Sequence, residues 1–341
     1  MKRNILRGCL CLLPALFFLS GCGNEAREEE KKSIRLGVSV YRWDDAFLTT
    51  LRAELEEKAK EYERESGTKV VLDIVDAKES QSVQNSQVER FISLGCDALC
   101  INMVDRSAAS DIIVRAMDAD VPVVFFNREP VEEDMDRWDR LYYVGADAKE
   151  SAVIQGTILA DAYDADHSSL DLDGDGVVNY VLLEGESNHQ DSLIRTEWSI
   201  QTLKDRNVPI EKLTGGIANW DRSQASALME QWLEKYPDEI ELVISNNDEM
   251  ALGAIDAIER LETDRPIKLV GIDATPAAVE AVREGKLMGT VNQDLESYAN
   301  TIFEIARCEA EGEPVGNYVQ LEEGKYYRSA QAPVTRDSFS D

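Results

Sequence analysis

Short apolar runs in this sequence open repeatedly into stretches rich in carboxylates, amides, an arginine and aromatics. The first run, Ile34–Tyr41, leads into Arg42-Trp43-Asp44-Asp45-Ala46-Phe47. Another leads into Asn102-Met103-Val104-Asp105, and a third into Glu184-Gly185-Glu186-Ser187-Asn188-His189-Gln190-Asp191, with Arg195 one helical turn later. Asn219-Trp220-Asp221, Asn246-Asn247-Asp248, Ile272-Asp273 and Asn292-Gln293-Asp294 repeat the theme. Planar Asp, Asn and Arg groups can engage neighbouring hydroxyls in pairs, because each hydroxyl both donates and accepts. Aromatic rings cover the apolar C–H faces of a sugar ring. The joint pattern therefore points to recognition of a sugar. Any single Asp or Asn can instead cap a helix; Asp248 reads as such a cap, and Asp44 as a candidate for one.

A second cluster has different chemistry. In Asp171-Leu172-Asp173-Gly174-Asp175-Gly176-Val177-Val178-Asn179, oxygen ligands fall at positions 1, 3, 5 and 9, the Val177 carbonyl at 7 and glycine at 6, the spacing of a calcium loop. Position 12, where a bidentate glutamate ordinarily closes such a loop, is Leu182, so the loop is one carboxylate short. Catalytic patterns are missing. Asp44 and Asp45 are adjacent on one stretch and do not define two carboxyls flanking a glycosidic bond. His167 and His189 are the only histidines, and no Ser-His-Asp ordering, phosphate loop or catalytic zinc pattern accompanies them. The chain reads as a binding protein and not an enzyme.

These groups need elements to position them. β-Branched runs at Ile34–Tyr41, Lys69–Val75, Ala98–Met103, Val121–Asn127, Tyr142–Gly145, Asn179–Leu183, Glu241–Ser245, Lys268–Ile272 and Gly289–Val291 alternate with amphipathic stretches such as Phe47–Tyr62. That alternation predicts α/β architecture, parallel sheets with helices on both faces. Near-continuous apolar runs such as Val121-Pro122-Val123-Val124-Phe125-Phe126 suit sheets buried on both sides. So many strands favour two Rossmann-like lobes over one sheet, and in such sheets ligands gather beyond the carboxyl ends of the strands. Cys96 and Cys100 lie ~13 Å apart along a strand, beyond disulfide reach; with Cys308 they read as buried free thiols.

The N-terminus carries an address. Lys2, Arg3 and Arg7 precede an apolar run from Leu10 to Leu19, shorter than the ~20 residues that span a bilayer, as in a secretory signal peptide. Leu19-Ser20-Gly21-Cys22 looks like a bacterial lipobox, with residues 1–21 removed, Cys22 lipidated and residues 22–33 forming a charged, flexible tether. The expected location is the outer face of the cell membrane, with a monoderm envelope favoured. Formal charge is −30, from 36 Lys and Arg against 66 Asp and Glu; the leader holds three cations and no acid, leaving about −33. Such acidity excludes a nucleic-acid partner, whose phosphates select basic surfaces. A sugar-responsive transcription regulator is excluded as well, since a leader stands where its helix-turn-helix would be.

The motifs Tyr-Arg-Trp-Asp-Asp-Ala-Phe, Ile-Asn-Met-Val-Asp, Pro-Val-Val-Phe-Phe-Asn-Arg-Glu-Pro and Ser-Asn-Asn-Asp-Glu-Met-Ala-Leu-Gly-Ala resemble the type I periplasmic-binding protein family, in its D-galactose/D-glucose-binding branch, from about Ile34 to at least Leu295. The resemblance implies two lobes joined by a three-segment hinge, residues 34–127 plus 294–328 and residues 128–293 plus 329–341, with a sugar in the cleft. It implies hydrogen bonds from Asp45, Asn102, His189, Asp191, Arg195, Asn247 and Asp273, and ring stacking by Phe47 and Trp220. Asp45 would accept either C4 epimer, admitting both galactose and glucose. The family asparagine twenty residues after Asp273 is here Gln293, which keeps the amide and adds a methylene; the preferred hexose stays open. Glu241 would supply the missing carboxylate of a structural calcium site with Asp171, Asp173, Asp175, Val177 and Asn179. The implied partners are the sugar and the permease subunits of an ABC importer. A chemoreceptor or sensor kinase stays open as a further partner, and the protein is expected to be a monomer.

Overall fold

The computed structural model describes residues 33–262 and 265–339; the leader, Cys22 and the tether as far as Lys32 lie outside the described residues. Among the described residues no helix is long and apolar enough to cross a membrane. In chain order the elements are β1 (Ser33–Val40), α1 (Ala46–Ser66), β2 (Lys69–Asp76), α2 (Gln81–Ser93), β3 (Ala98–Ile101), α3 (Ala109–Asp118), β4 (Val123–Phe126), the short α4 (Glu132–Met135) and β5 (Leu141–Ala146). Then come α5 (Ala148–Ala165), β6 (Val178–Glu184), α6 (Gln190–Asp205), β7 (Ile210–Ile217), α7 (Arg222–Lys235), β8 (Leu242–Ser245), α8 (Asp248–Arg260), β9 (Lys268–Val270), α9 (Pro276–Glu284) and β10 (Gly289–Asn292). The chain ends on α10 (Leu295–Glu311), β11 (Tyr326–Ser329) and β12 (Ala332–Thr335).

These strands make two sheets, ordered β11-β5-β4-β3-β1-β2 and β12-β10-β9-β8-β6-β7. Every pairing is parallel except β10 with β12. This is the doubly covered, two-lobed α/β fold expected from the sequence. Side-chain alternation decides the faces. Leu36, Val38 and Val40 of β1 pack on Leu48, Leu51 and Leu55 of α1 and Ile302 and Phe303 of α10. Leu99 and Ile101 of β3, with Val123 and Phe125 of β4, point the other way, onto Phe91 of α2 and Ile112 of α3. In the second lobe Val181, Leu183 and Val243 face α7 and α8, while Leu182, Leu242 and Ile244 face Leu159 of α5 and Leu203 of α6. Each such fully buried aliphatic contributes ~1.5–3 kcal/mol. Cys96, Cys100 and Cys308 are free and buried; burial pushes the thiols up, to about 11 for Cys96 and Cys308 and about 12 for Cys100.

Two expectations need correction. The first crossing between lobes does not follow Asn127. β5 pairs with β4 in register Val123↔Leu141 and with β11 in register Tyr326↔Tyr143, so the first lobe continues to Ala146 and the chain crosses into α5. The reason is packing: Tyr142 and Val144 fill one face of the first sheet, and Leu141 and Tyr143 the other. The other crossings fall between β10 and α10 and between β11 and β12. The second correction is of strand number. β7, β11 and β12 carry no sequence signal of the kind that marks the buried strands. β7 is Ile-Glu-Lys-Leu-Thr-Gly-Gly-Ile, a partly exposed edge strand, and β12 (Ala-Pro-Val-Thr) is a short edge strand bearing a proline.

Candidate functional site

Helix capping sets the first lobe's side of the cleft. Asp45, in extended backbone before α1, accepts from the Leu48 N–H through Oδ1 at 2.8 Å. Its other oxygen accepts from the Tyr41 hydroxyl at 3.0 Å, with the Arg42 guanidinium 3.9 Å away. Asp45 is therefore both the cap and a cleft residue, whereas Asp44 is 87% exposed and caps nothing. Phe47, in the first turn of α1, is held edge-on by Tyr298 with ring centroids 5.9 Å apart.

In the second lobe α6 and α8 start at the cleft. His189 caps α6 by accepting the Asp191 N–H at Nδ1, 3.1 Å, which assigns the ring hydrogen to Nε2. Burial, then the cations Arg128, Arg195 and Arg106, hold this imidazole well below its ordinary value. It is a neutral donor, and its 3.9 Å approach to Asp191 is no ion pair. Asp191 takes Arg195 Nη2 at 3.2 Å, and Arg195 Nη1 donates to the Asn246 carbonyl at 3.1 Å and lies 3.7 Å from Asp273. Asn247 caps α8 through Oδ1, accepting from the Met250 N–H at 3.0 Å; its amide N–H groups are left unspent. Asp248 is therefore not the cap. It is fully buried as the first helical residue, accepting from the Thr290 hydroxyl at 2.7 Å and the Thr275 N–H at 2.9 Å.

Asp273 sits at φ 123° and receives the Gln293 amide at 2.5 Å. Its carboxyl is raised well above the ordinary range: burial outweighs the lowering by Arg195, and Asp248, Asp45 and Asp191 add to the rise. Burial likewise raises Asp191 against its arginine partner. Trp220 closes the cleft. It and Asn219 adopt left-handed backbone, φ 62° and 52°, which lays the indole over Gly185; a Cβ there would stand 2.1 Å from the ring, so only glycine fits. The indole meets His189 edge-on at 5.2 Å, and its Nε1–H and the Arg195 Nε–H are buried without a protein partner.

Nine of the ten expected residues, Asp45, Phe47, His189, Asp191, Arg195, Trp220, Asn247, Asp273 and Gln293, line one cavity together with Tyr41, Asn127 and Arg128. Asn102 is the exception. It is fully buried behind the wall, accepting from the Tyr41 N–H at 3.2 Å and donating to the Phe126 carbonyl and Asn127 Oδ1 at 3.2 and 3.1 Å. Its two amide donations go to the Phe126 carbonyl and to Asn127, the residue that reaches the cavity. Tyr41, Asn127 and Arg128 all stand at carboxyl ends of strands, so the strand-end rule was the signal that could have found them.

The acidic loop lies elsewhere in the second lobe. Gly174 and Gly176 take φ of 76° and 91°, and the Asp171 carboxylate accepts their N–H groups at 2.8 and 3.0 Å. Glu241, fully buried, accepts from the N–H groups of Leu172, Asp173 and Asn179 at 2.6, 3.2 and 2.7 Å. Carboxylate oxygens of Asp171, Asp173 and Glu241 lie within 4.8 Å of one another. Among the described residues no lysine or arginine pairs with them or with Asp175. An all-oxygen set whose charge lacks a counterion fits a hard divalent cation.

The sequence profile of the periplasmic binding protein domain matches residues 36–314. The chain belongs to the periplasmic binding protein family. This family supplies solute-binding components rather than enzymes, in keeping with the absence of a catalytic pattern. Within it the chain is 35% identical over 309 residues to the D-galactose/methyl-galactoside binding periplasmic protein MglB of Haemophilus influenzae, covering 90% of this chain and 91% of that one. It is 29% identical to the ribose import binding protein RbsB of Bacillus subtilis, covering 86% and 90%. Among solved structures it resembles an ABC transporter solute binding protein from Bacillus halodurans C-125 with bound myo-inositol, at 32% identity and TM-score 0.74, covering 91% and 97%.

Proposed function

We propose that this protein captures D-galactose or D-glucose in the interlobe cleft and delivers it to the permease of an ABC importer, tethered to the outer face of the cell membrane through lipidated Cys22. One observation carries the reading. The cleft joins acceptors (Asp45, Asp191, Asp273), donors (the neutral His189 ring, Arg195, the Asn247 amide) and two aromatic walls, Phe47 and Trp220, contributed by different lobes. A ligand touching both lobes favours the closed form, and that differential shifts the population. The loop Asp171, Asp173, Asp175, Val177 and Asn179, closed by Glu241, would hold a calcium ion that pins the start of β6 to β8 and takes no part in binding.

A second reading, a cyclitol such as myo-inositol, is favoured by the likeness to the solute binding protein that holds that ligand, and Gln293 is the residue through which the two readings can be separated. Its amide is turned onto Asp273 at 2.5 Å, and its additional methylene takes room beside a carboxylate that a hexose would use. Calorimetry of the purified mature protein against galactose, glucose, methyl-galactoside, xylose, ribose, arabinose and myo-inositol separates the two. Galactose or glucose binding at micromolar or tighter, with pentoses much weaker, supports the first; a preference for myo-inositol that Gln293→Asn reverses supports the second. No binding by any of them, with the protein folded, removes both.

A further inference from the structure

Arg128 follows β4 in the first lobe, and Glu186 follows β6 in the second. Their side chains, 4% and 17% exposed, meet across the cleft with Nη2 to Oε2 at 2.8 Å. Every other bond of Arg128 stays within its own lobe: Nη1 donates to the Val104 carbonyl at 3.0 Å, and the guanidinium lies 3.7 Å over the Tyr41 ring. Tyr41 in turn donates to Asp45. On the far side Glu186 adjoins Gly185, the seat of the Trp220 indole. Arg42 Nη1 with the Asn219 carbonyl, at 3.4 Å, and Gln190 Nε2 with the Asn127 carbonyl, at 3.2 Å, also cross between lobes, but neither pairs two charges.

An ion pair whose partners belong to different lobes cannot hold either lobe's fold. It exists only while the lobes are together, and separating them gives both charged groups up to water. We propose that Arg128 and Glu186 form a latch that sets the closing equilibrium, with Glu186 a positioning residue that raises sugar affinity without touching sugar. Glu186 does not line the cavity, so its effect on binding runs through closure alone. Because apparent affinity scales with the fraction of closed, competent protein, losing the Glu186 carboxylate weakens every ligand by one common factor and leaves the ratios among ligands unchanged.

The test rests on the proposed sugar function for its affinity arm and is independent of it in its distance arm. Among the described residues the native thiols, Cys96, Cys100 and Cys308, are buried, so in the chain from Ser33 onward labels attach selectively at Val83→Cys on α2 and Leu193→Cys on α6, both exposed. Distance distributions are measured without sugar and with each sugar the parent binds. Glu186→Gln and Arg128→Met are expected to lower the closed-to-open ratio about tenfold each, the size of one lost charged hydrogen bond. Combined, they should cost little more than either alone, with Arg128→Lys milder. In Glu186→Gln, dissociation of sugar should quicken by the same factor for all ligands, at unchanged melting temperature; the Arg128 variants, which also alter the cavity wall, are read in the sugar-free distances. An unaltered distance distribution in Glu186→Gln, full additivity in the double variant, or a loss confined to one sugar would each overturn the latch. If Arg128→Met fails to fold, Glu186→Gln and Glu186→Ala decide. If no sugar binds the parent, the sugar-free distances still do.

Discussion

At the scale of single residues, the site's chemistry was legible in the sequence and its exact occupants were not always so. Asp44 and Asp45 are identical in type, and so nearly are Asn247 and Asp248. Which of each pair caps its helix, and which is buried, depends on a one-residue register that composition does not encode. Asn102 sits at a strand end like the others, yet its amide is consumed by Tyr41, Phe126 and Asn127; only the packing reveals that it serves the cleft from behind. Trp220 is the residue whose loss should be felt most. Its ring is fixed by backbone conformation and by Gly185 rather than by a ligand, so little ordering remains for binding to supply. Trp220→Ala is expected to weaken sugar binding by about 2–4 kcal/mol, thirty- to a thousandfold, by titration calorimetry; a change under threefold would deny it the stacking role.

At the scale of elements, strands buried on both faces announced themselves, as in Val-Val-Phe-Phe of β4, while of the edge strands β2 did so and β7, β11 and β12 did not, because an edge does not need apolar alternation. The lobe boundary was misread for a related reason: nothing local in Leu141–Ala146 tells which of two sheets will accept it. Two elements carry tests. The acidic loop should bind calcium and, since only the folded state offers the site, gain ~2.7 kcal/mol at a hundredfold excess over Kd. EDTA should lower the melting temperature, Glu241→Gln should lower it similarly, and the variant should no longer respond to EDTA; equal responses in both proteins would exclude the site. The start of α8 carries the second. Burial raises Asp248 from 3.8 to about 7, partly offset by Thr290 and Thr275. Between those values the native state keeps a proton the unfolded chain has lost, so stability from this group is present at low pH and falls as pH climbs from about 4 to about 7. Asp248→Asn should flatten that part of the parent's pH–stability profile. Parallel profiles would show that Asp248 titrates normally.

The whole molecule is two similar lobes whose strand ends face each other, and the sequence conveyed that much through alternation and through where its polar groups fall. What it left out was which groups from opposite lobes come into contact, since Arg128 and Glu186 are separated by a complete change of sheet. At this scale location is also testable. Cys22→Ala should release the protein to the medium or leave its precursor unprocessed in fractionation; normal maturation with full membrane retention would contradict lipidation. The order of the chain has a last consequence. The first lobe begins with β1 but is finished by α10 and β11, from the far end of the sequence, and α10 supplies Tyr298 and Phe303, which meet Phe47 and Tyr62 of α1. A growing or threading chain therefore cannot complete its first lobe until after its second has been delivered. Such late, distant closure slows folding, and a chain cut before Leu295 should fold part of the second lobe while leaving the first open to proteases. The topology thus acts as a timer, keeping the leading half unfinished until the trailing residues have arrived.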